Sequence, residues 1–213
     1  MAFRARSRHS FIKFCVRRAL AEEKGSFCMA AGQQYQLKRT VVLVGMMGSG
    51  KTAIGRALAA ALDVPFMDSD AAIEEAAAAS IAEIFARDGE KFFRKREAEV
   101  LRRLLSGPPG IVSTGGGAFL AEANRDAIAQ MGVAVWLDAD LEILWERVRH
   151  KDTRPLLRTA DPKATLTGIF EERAPIYALA GLRIDVKETA SIEQTTLSVL
   201  RRLASRPDIL ETK

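Results

Sequence analysis

Residues 40–52 read Thr40-Val41-Val42-Leu43-Val44-Gly45-Met46-Met47-Gly48-Ser49-Gly50-Lys51-Thr52. The last eight match G-x-x-x-x-G-K-[ST], the signature of a phosphate-binding loop (P-loop). Before them stands an apolar, β-branched run of strand length. After them, Ala53 to Leu62 is Ala-rich and helix-prone. Strand, glycine loop and helix are what phosphate binding needs. Glycines let successive N–H groups converge on one point, and the helix N-terminus adds partial positive charge there. Gly48, Ser49, Gly50 and Ala53 supply the cradle, Lys51 can reach the β- and γ-phosphates, and the Thr52 hydroxyl can ligate Mg²⁺. Gly48-x-Gly50-x-x-Ala53, with Asp68 about twenty residues on, also fits a loose dinucleotide fingerprint. A Lys-Thr pair directly after the last glycine suits a nucleoside triphosphate and its metal better.

Outward from this loop, the chain of 213 residues is long enough for one sizeable α/β domain. Its formal charge of +5 is unevenly spread. Residues 1–40 hold nine Lys/Arg and two Glu, so the remainder carries 23 basic and 25 acidic residues and a charge of −2. A body of that charge is not a nucleic-acid binder. No apolar run approaches the roughly 18 residues of a membrane span. Residues 1–37 form an Arg-rich extension. It reads as a disordered tail or an upstream start with Met29 as the alternative, or less simply as a transit peptide or amphipathic membrane binder. Both cysteines, Cys15 and Cys28, lie in it. The domain therefore has no disulfide framework, which fits a reducing, cytoplasmic setting. Residues 38–205 are the domain, and 206–213 are expected to be frayed.

Along the domain, Val64 to Met67 is a second strand ending in Asp68-Ser69-Asp70. Extended alternation would point both carboxylates to one side, one for hydrated Mg²⁺ and one for a substrate hydroxyl. Asp70 can alternatively cap the helix Ala71-Ala72-Ile73-Glu74. Ser80-Ile81-Ala82-Glu83 has the form of a capping box, Gly89 breaks the helix it opens, and Glu90 to Leu105 is amphipathic. Arg94 within it is either solvated or clamps a carboxylate with Glu97 orienting it. Ile111 to Thr114 is a strand that runs into Gly115-Gly116-Gly117, a hinge or a place where bare backbone meets a ligand. Strands at 133–137 and 182–186 and helices at 122–130, 141–149, 162–173 and 192–203 complete the pattern. The polar, Pro-containing stretch from Lys151 to Pro162 reads as a mobile lid, with Arg154 reaching over the transferring phosphate. Five strands alternating with helices imply a parallel sheet covered on both faces.

With these residues assembled, the chain resembles the shikimate kinase family over about residues 40–204. The resemblance rests on an ordered set: the P-loop, Asp68-x-Asp70, Phe93-Arg94-x-x-Glu97, Gly115-Gly116-Gly117, Thr153-Arg154-Pro155-Leu156-Leu157 and Arg173-x-Pro175-x-Tyr177. It implies a P-loop NTPase fold with an adenylate-kinase-like lid. It also implies transfer of the γ-phosphoryl group of ATP to the 3-hydroxyl of shikimate, on the path to chorismate and the aromatic amino acids. By resemblance, Lys51 contacts the transferring phosphate, Thr52 holds Mg²⁺ and Asp68 holds it through water. Asp70 binds and activates the accepting hydroxyl. Arg94 and Arg173 clamp the shikimate carboxylate, and Gly115, Gly116 and Gly117 meet the ring hydroxyls. Arg154 reaches the ATP phosphates and Arg147 stacks on adenine. The family's usual monomeric state is expected too.

Two features depart from the family pattern. The N-terminal extension has no counterpart in it. Where the family often carries an arginine after the last strand, this chain has Lys187-Glu188-Thr189-Ala190, and Ala190 receives no role. A gluconate-type small-molecule kinase and a non-catalytic ligand-binding module are the competing readings. The Asp pair with the triple glycine weighs against the first, and the intact Lys51, Thr52, Asp70 and Arg154 against the second.

Overall fold

The computed structural model describes residues 35–150 and 155–212. The expectations for most of the extension, and for Arg154 and the first part of the lid, lie outside the described residues. Tyr35–Leu37 (β1) precedes Thr40–Val44 (β2), whose five residues are all buried. Neighbours on a strand face opposite sides, so both faces of the sheet around β2 are covered. The other strands are Phe66–Asp68 (β3), Ile111–Ser113 (β4), Gly132–Ala139 (β5) and Leu182–Val186 (β6). The order is β3-β4-β2-β5-β6, with every pairing parallel. The chain fills one side of β2 first and then crosses to the other. The crevice above the C-terminal end of β2 is therefore a topological switch point, where open α/β sheets bind ligands.

The helices are Lys51–Leu62 (α1), Ser69–Ala77 (α2), Ile81–Leu105 (α3), Glu122–Met131 (α4), Leu141–Val148 (α5), Pro162–Tyr177 (α6) and Ile192–Ala204 (α7). α1 packs on α7 and β4, and α4 packs on β5 and α3. The capping box at Ser80 and Glu83 forms as expected. Gly89 breaks the helical geometry of α3 at φ 77°, ψ 172°, and the helix resumes beyond it.

Three expectations change. Asp68, not Asp70, caps α2, accepting from the N–H groups of Asp70 and Ala71 at 3.1 and 3.4 Å. Asp70 sits in the first turn of α2. The two carboxylates thus share a side through the strand-to-helix turn rather than through alternation along a strand. Second, α6 does not stop at Arg173 but runs through Pro175 to Tyr177. A proline there costs one backbone hydrogen bond, and the helix tolerates it. Third, residues 206–212 are not frayed. Leu210–Thr212 (β7) pairs antiparallel with β1, and Ile209 and Leu210 are buried. Lys38 donates its N–H to the Ile209 carbonyl at 2.8 Å. The ordered domain accordingly begins by Tyr35. Two three-residue strands from distant parts of the chain carry no local signal of each other.

Candidate active site

Gly48 and Gly50 adopt φ 84° and 95°, values that L side chains disfavour, and so curl the loop over the start of α1. Lys51 donates to the carbonyls of Gly45 and Met46 at 2.8 and 2.9 Å, which holds its ammonium over the loop. The loop opens on a cavity of about 550 Å³. Of the residues expected here, Gly48, Gly50, Lys51, Thr52, Ala53, Asp68, Asp70, Gly115, Gly116 and Arg147 line that cavity. Ser49 does not: its side chain is buried and its hydroxyl has no hydrogen-bond partner among the described residues, so only its backbone belongs to the loop.

At the floor of the cavity, Thr52 Oγ1 lies 3.2 Å from Asp68 Oδ2 and 3.2 Å from Ser113 Oγ. The capping bonds from α2 to the other carboxylate oxygen fix the orientation of Asp68. Arg147, on α5, donates to the Gly48 carbonyl at 3.2 Å and stands at the other side of the loop.

The acceptor side is built around the glycine run that follows β4. A methyl added at Gly115 would stand 2.5 Å from Asp70 Oδ1. One at Gly117 would stand 2.6 Å from Arg94 Nη1. One at Gly116 would reach Arg173 Nη1 and the Tyr177 hydroxyl, each at 3.8 Å. Each glycine thus lies against a different functional group, and a side chain at either outer position would displace the end of Asp70 or Arg94. Arg94, Gly117 and Arg173 sit beyond the residues that line the cavity.

Arg94 donates to Glu97 at 3.0 Å and to Glu90 at 3.1 Å. Burial works against the charge on Arg94, but these two carboxylates outweigh it and hold the guanidinium ionised. Burial pushes the Glu97 carboxyl up from its ordinary value, and Arg94 opposes that rise. The solvated reading of Arg94 therefore fails: the residue is half-buried and oriented. Arg173 leaves its Nε buried without a hydrogen-bond partner among the described residues, a donor suited to an anion.

Sequence reasoning missed Ser113, Thr114 and the wall formed by Val186, Ala190, Ser191, Ile192 and Thr195. A signal existed for the wall. It follows the C-terminal end of β6, and the ends of the other strands had already been read as ligand sites.

A model of the family described as shikimate kinase matches residues 47–204. The chain belongs to the shikimate kinase family. As a member it is an ATP-dependent kinase acting on shikimate. It is 63% identical over 175 residues to the shikimate kinase of Ruegeria pomeroyi, covering 82% of this chain and 90% of that one. It is 57% identical over 197 residues to that of Cereibacter sphaeroides, covering 92% and 96%. A solved family structure, the shikimate kinase of Acinetobacter baumannii in complex with shikimate, matches with a TM-score of 0.74 at 35% identity. That match covers 78% of this chain and 93% of the other. The match places the five parallel strands in the family's known architecture.

Proposed function

We propose that the site transfers the γ-phosphoryl group of MgATP to the 3-hydroxyl of shikimate, giving shikimate 3-phosphate and ADP. The observation that carries this is the glycine run, which lies against Asp70, Arg173 and Arg94 at the end of the cavity that holds Lys51. A small ring acid with several hydroxyls needs this set. Two guanidiniums grip its carboxylate, bare amides meet its hydroxyls, and a carboxylate receives the proton of the attacking hydroxyl.

Lys51 exchanges its bonds to the loop carbonyls for bonds to the phosphate, and the loop amides bind the other phosphate oxygens. Thr52 Oγ1, Asp68 and Ser113 are oxygen donors with a single carboxylate among them, a set that suits Mg²⁺ keeping most of its waters. Thr52 would hold the ion directly and Asp68 through water. When bound, the ion supplies positive charge to the phosphate oxygens. Arg154 reaches the phosphates from the lid, and Arg147 contacts the adenine end. The Asp70 carboxylate takes the proton as the bond from oxygen to phosphorus forms and the bond to ADP breaks. A site closed from water keeps ATP from simple hydrolysis.

The enzyme is read as a monomer, the family's usual state, and a domain without cysteine fits a reducing, cytoplasmic setting. No helix among the described residues is long and apolar enough to cross a membrane.

Coupled ADP release with shikimate as acceptor tests the proposal. Lys51→Ala should abolish transfer. Arg94→Ala should raise the shikimate KM roughly 10- to 100-fold, the worth of a charged hydrogen-bond pair. ADP release that does not depend on shikimate, or that gluconate supports better, would overturn it.

A further inference from the structure

Tyr177 ends α6, one turn after Arg173, and only 1% of it is exposed. Its hydroxyl donates to the Gly116 carbonyl. Burial pushes the hydroxyl's pKa up, which keeps it protonated as a donor, while the neighbouring Arg173 opposes the rise. Its ring stacks on Trp136 with the centroids 6.4 Å apart. Trp136 lies on β5, and its Cδ1 would be 3.3 Å from a Cβ placed on Gly45, the first residue of the phosphate loop. One side chain thus joins the helix of Arg173, the acceptor glycines and the strand behind the nucleotide.

A second pin holds the same run. Gly115 donates its N–H to Ser69 Oγ at 3.3 Å, and Ser69 is buried at the start of α2, next to Asp70. Three successive glycines have no side chains to fix them and would otherwise sample many conformations. Here the first is tied by its N–H and the second by its carbonyl. Arg173 Nη1 and the Tyr177 hydroxyl both lie 3.8 Å from where a Cβ on Gly116 would stand, and Arg173 Nε is buried without a hydrogen-bond partner among the described residues.

We infer that Tyr177 and Ser69 are positioning residues for the acceptor. They hold the glycine run, and Tyr177 also holds Arg173, in the arrangement the acceptor's carboxylate and hydroxyls require. The inference rests on the acceptor site proposed above. The experiment measures KM for shikimate, KM for ATP, kcat and thermal stability for Tyr177→Phe and Ser69→Ala in the full chain. Tyr177→Phe removes the partner of the half-buried Gly116 carbonyl while keeping the ring on Trp136. It should raise the shikimate KM roughly tenfold, with a smaller fall in kcat and the ATP KM within about twofold. Ser69→Ala should move the same constant in the same direction, and it decides the matter if Phe at 177 does not give a folded chain. An unchanged shikimate KM, or an equal rise for both substrates as in general loosening, would overturn the inference. Arg94→Ala, measured alongside, separates the two levels. If it raises the shikimate KM while Tyr177→Phe and Ser69→Ala do not, only this inference fails. If Arg94→Ala has no effect either, the acceptor site itself has been misplaced.

Discussion

Glu97 is 2% exposed, with its carboxylate 3.0 Å from Arg94. Desolvation raises its pKa above the ordinary 4.5, so the folded chain holds this proton to higher pH than the unfolded chain does. The sign follows by linkage. The stability that Glu97 contributes is full below pH 4.5 and is lost as pH climbs through the folded value. The bond to Arg94 opposes the burial cost of this carboxylate. Glu97→Gln cannot titrate. The melting temperature of the native chain minus that of the variant should fall as pH rises from below 4.5, and a difference flat with pH would show that the carboxyl is not shifted upward. Arg94 marks the limit of reading at this scale. The bare pattern of residues left it open between a solvated and a clamping role, because the buried carboxylate and the glycine that decide the matter come from packing.

α3 is two helical segments joined at a kink. Gly89 sits at φ 77° and ψ 172°, with nothing within 4 Å of where a Cβ would stand. Space is no obstacle there, so backbone strain sets the cost of a side chain. Alanine recovers at most about 1 kcal/mol of helix propensity. Holding a non-glycine residue in that region costs about 1–3 kcal/mol. Gly89→Ala should thus lower unfolding stability by about 1–2 kcal/mol in a urea titration. A stabilised variant would mean that α3 straightens freely. The break was legible because a lone glycine in an amphipathic pattern is a local signal. The continuation of α6 past Pro175 was not. Local rules end a helix near a proline, whereas here the packing of Tyr177 under the glycine run and against Trp136 outweighs one missing hydrogen bond.

At the scale of the whole molecule, the two ends of the described chain close on each other through β1 and β7. Ile209 is 0% and Leu210 2% exposed, and both join the main core with Leu37. Each fully buried aliphatic side chain contributes about 1.5–3 kcal/mol. The exposed Lys38–Glu211 ion pair adds little beside that. Deleting residues 207–213 should accordingly destabilise the domain by about 3–6 kcal/mol in chemical denaturation. A loss below about 1 kcal/mol would show that the terminal pairing contributes nothing to stability.

The phosphate loop, the five parallel strands and the residues crowded at their C-terminal ends are legible in the order of the amino acids alone. Each of these is written in a few neighbouring residues, as a period, a glycine cluster or a strand followed by acids. The folded geometry settled that Asp68 rather than Asp70 caps α2. It also decided that Arg94 and Arg173 meet across one glycine run, and that residues 209 and 210 belong to the core. The last two depend on contacts between segments far apart along the chain, whereas the cap is set within three residues by the geometry of the strand-to-helix turn. Burial and hydrogen-bond partners across such distances exist only once the sheet has brought the segments together.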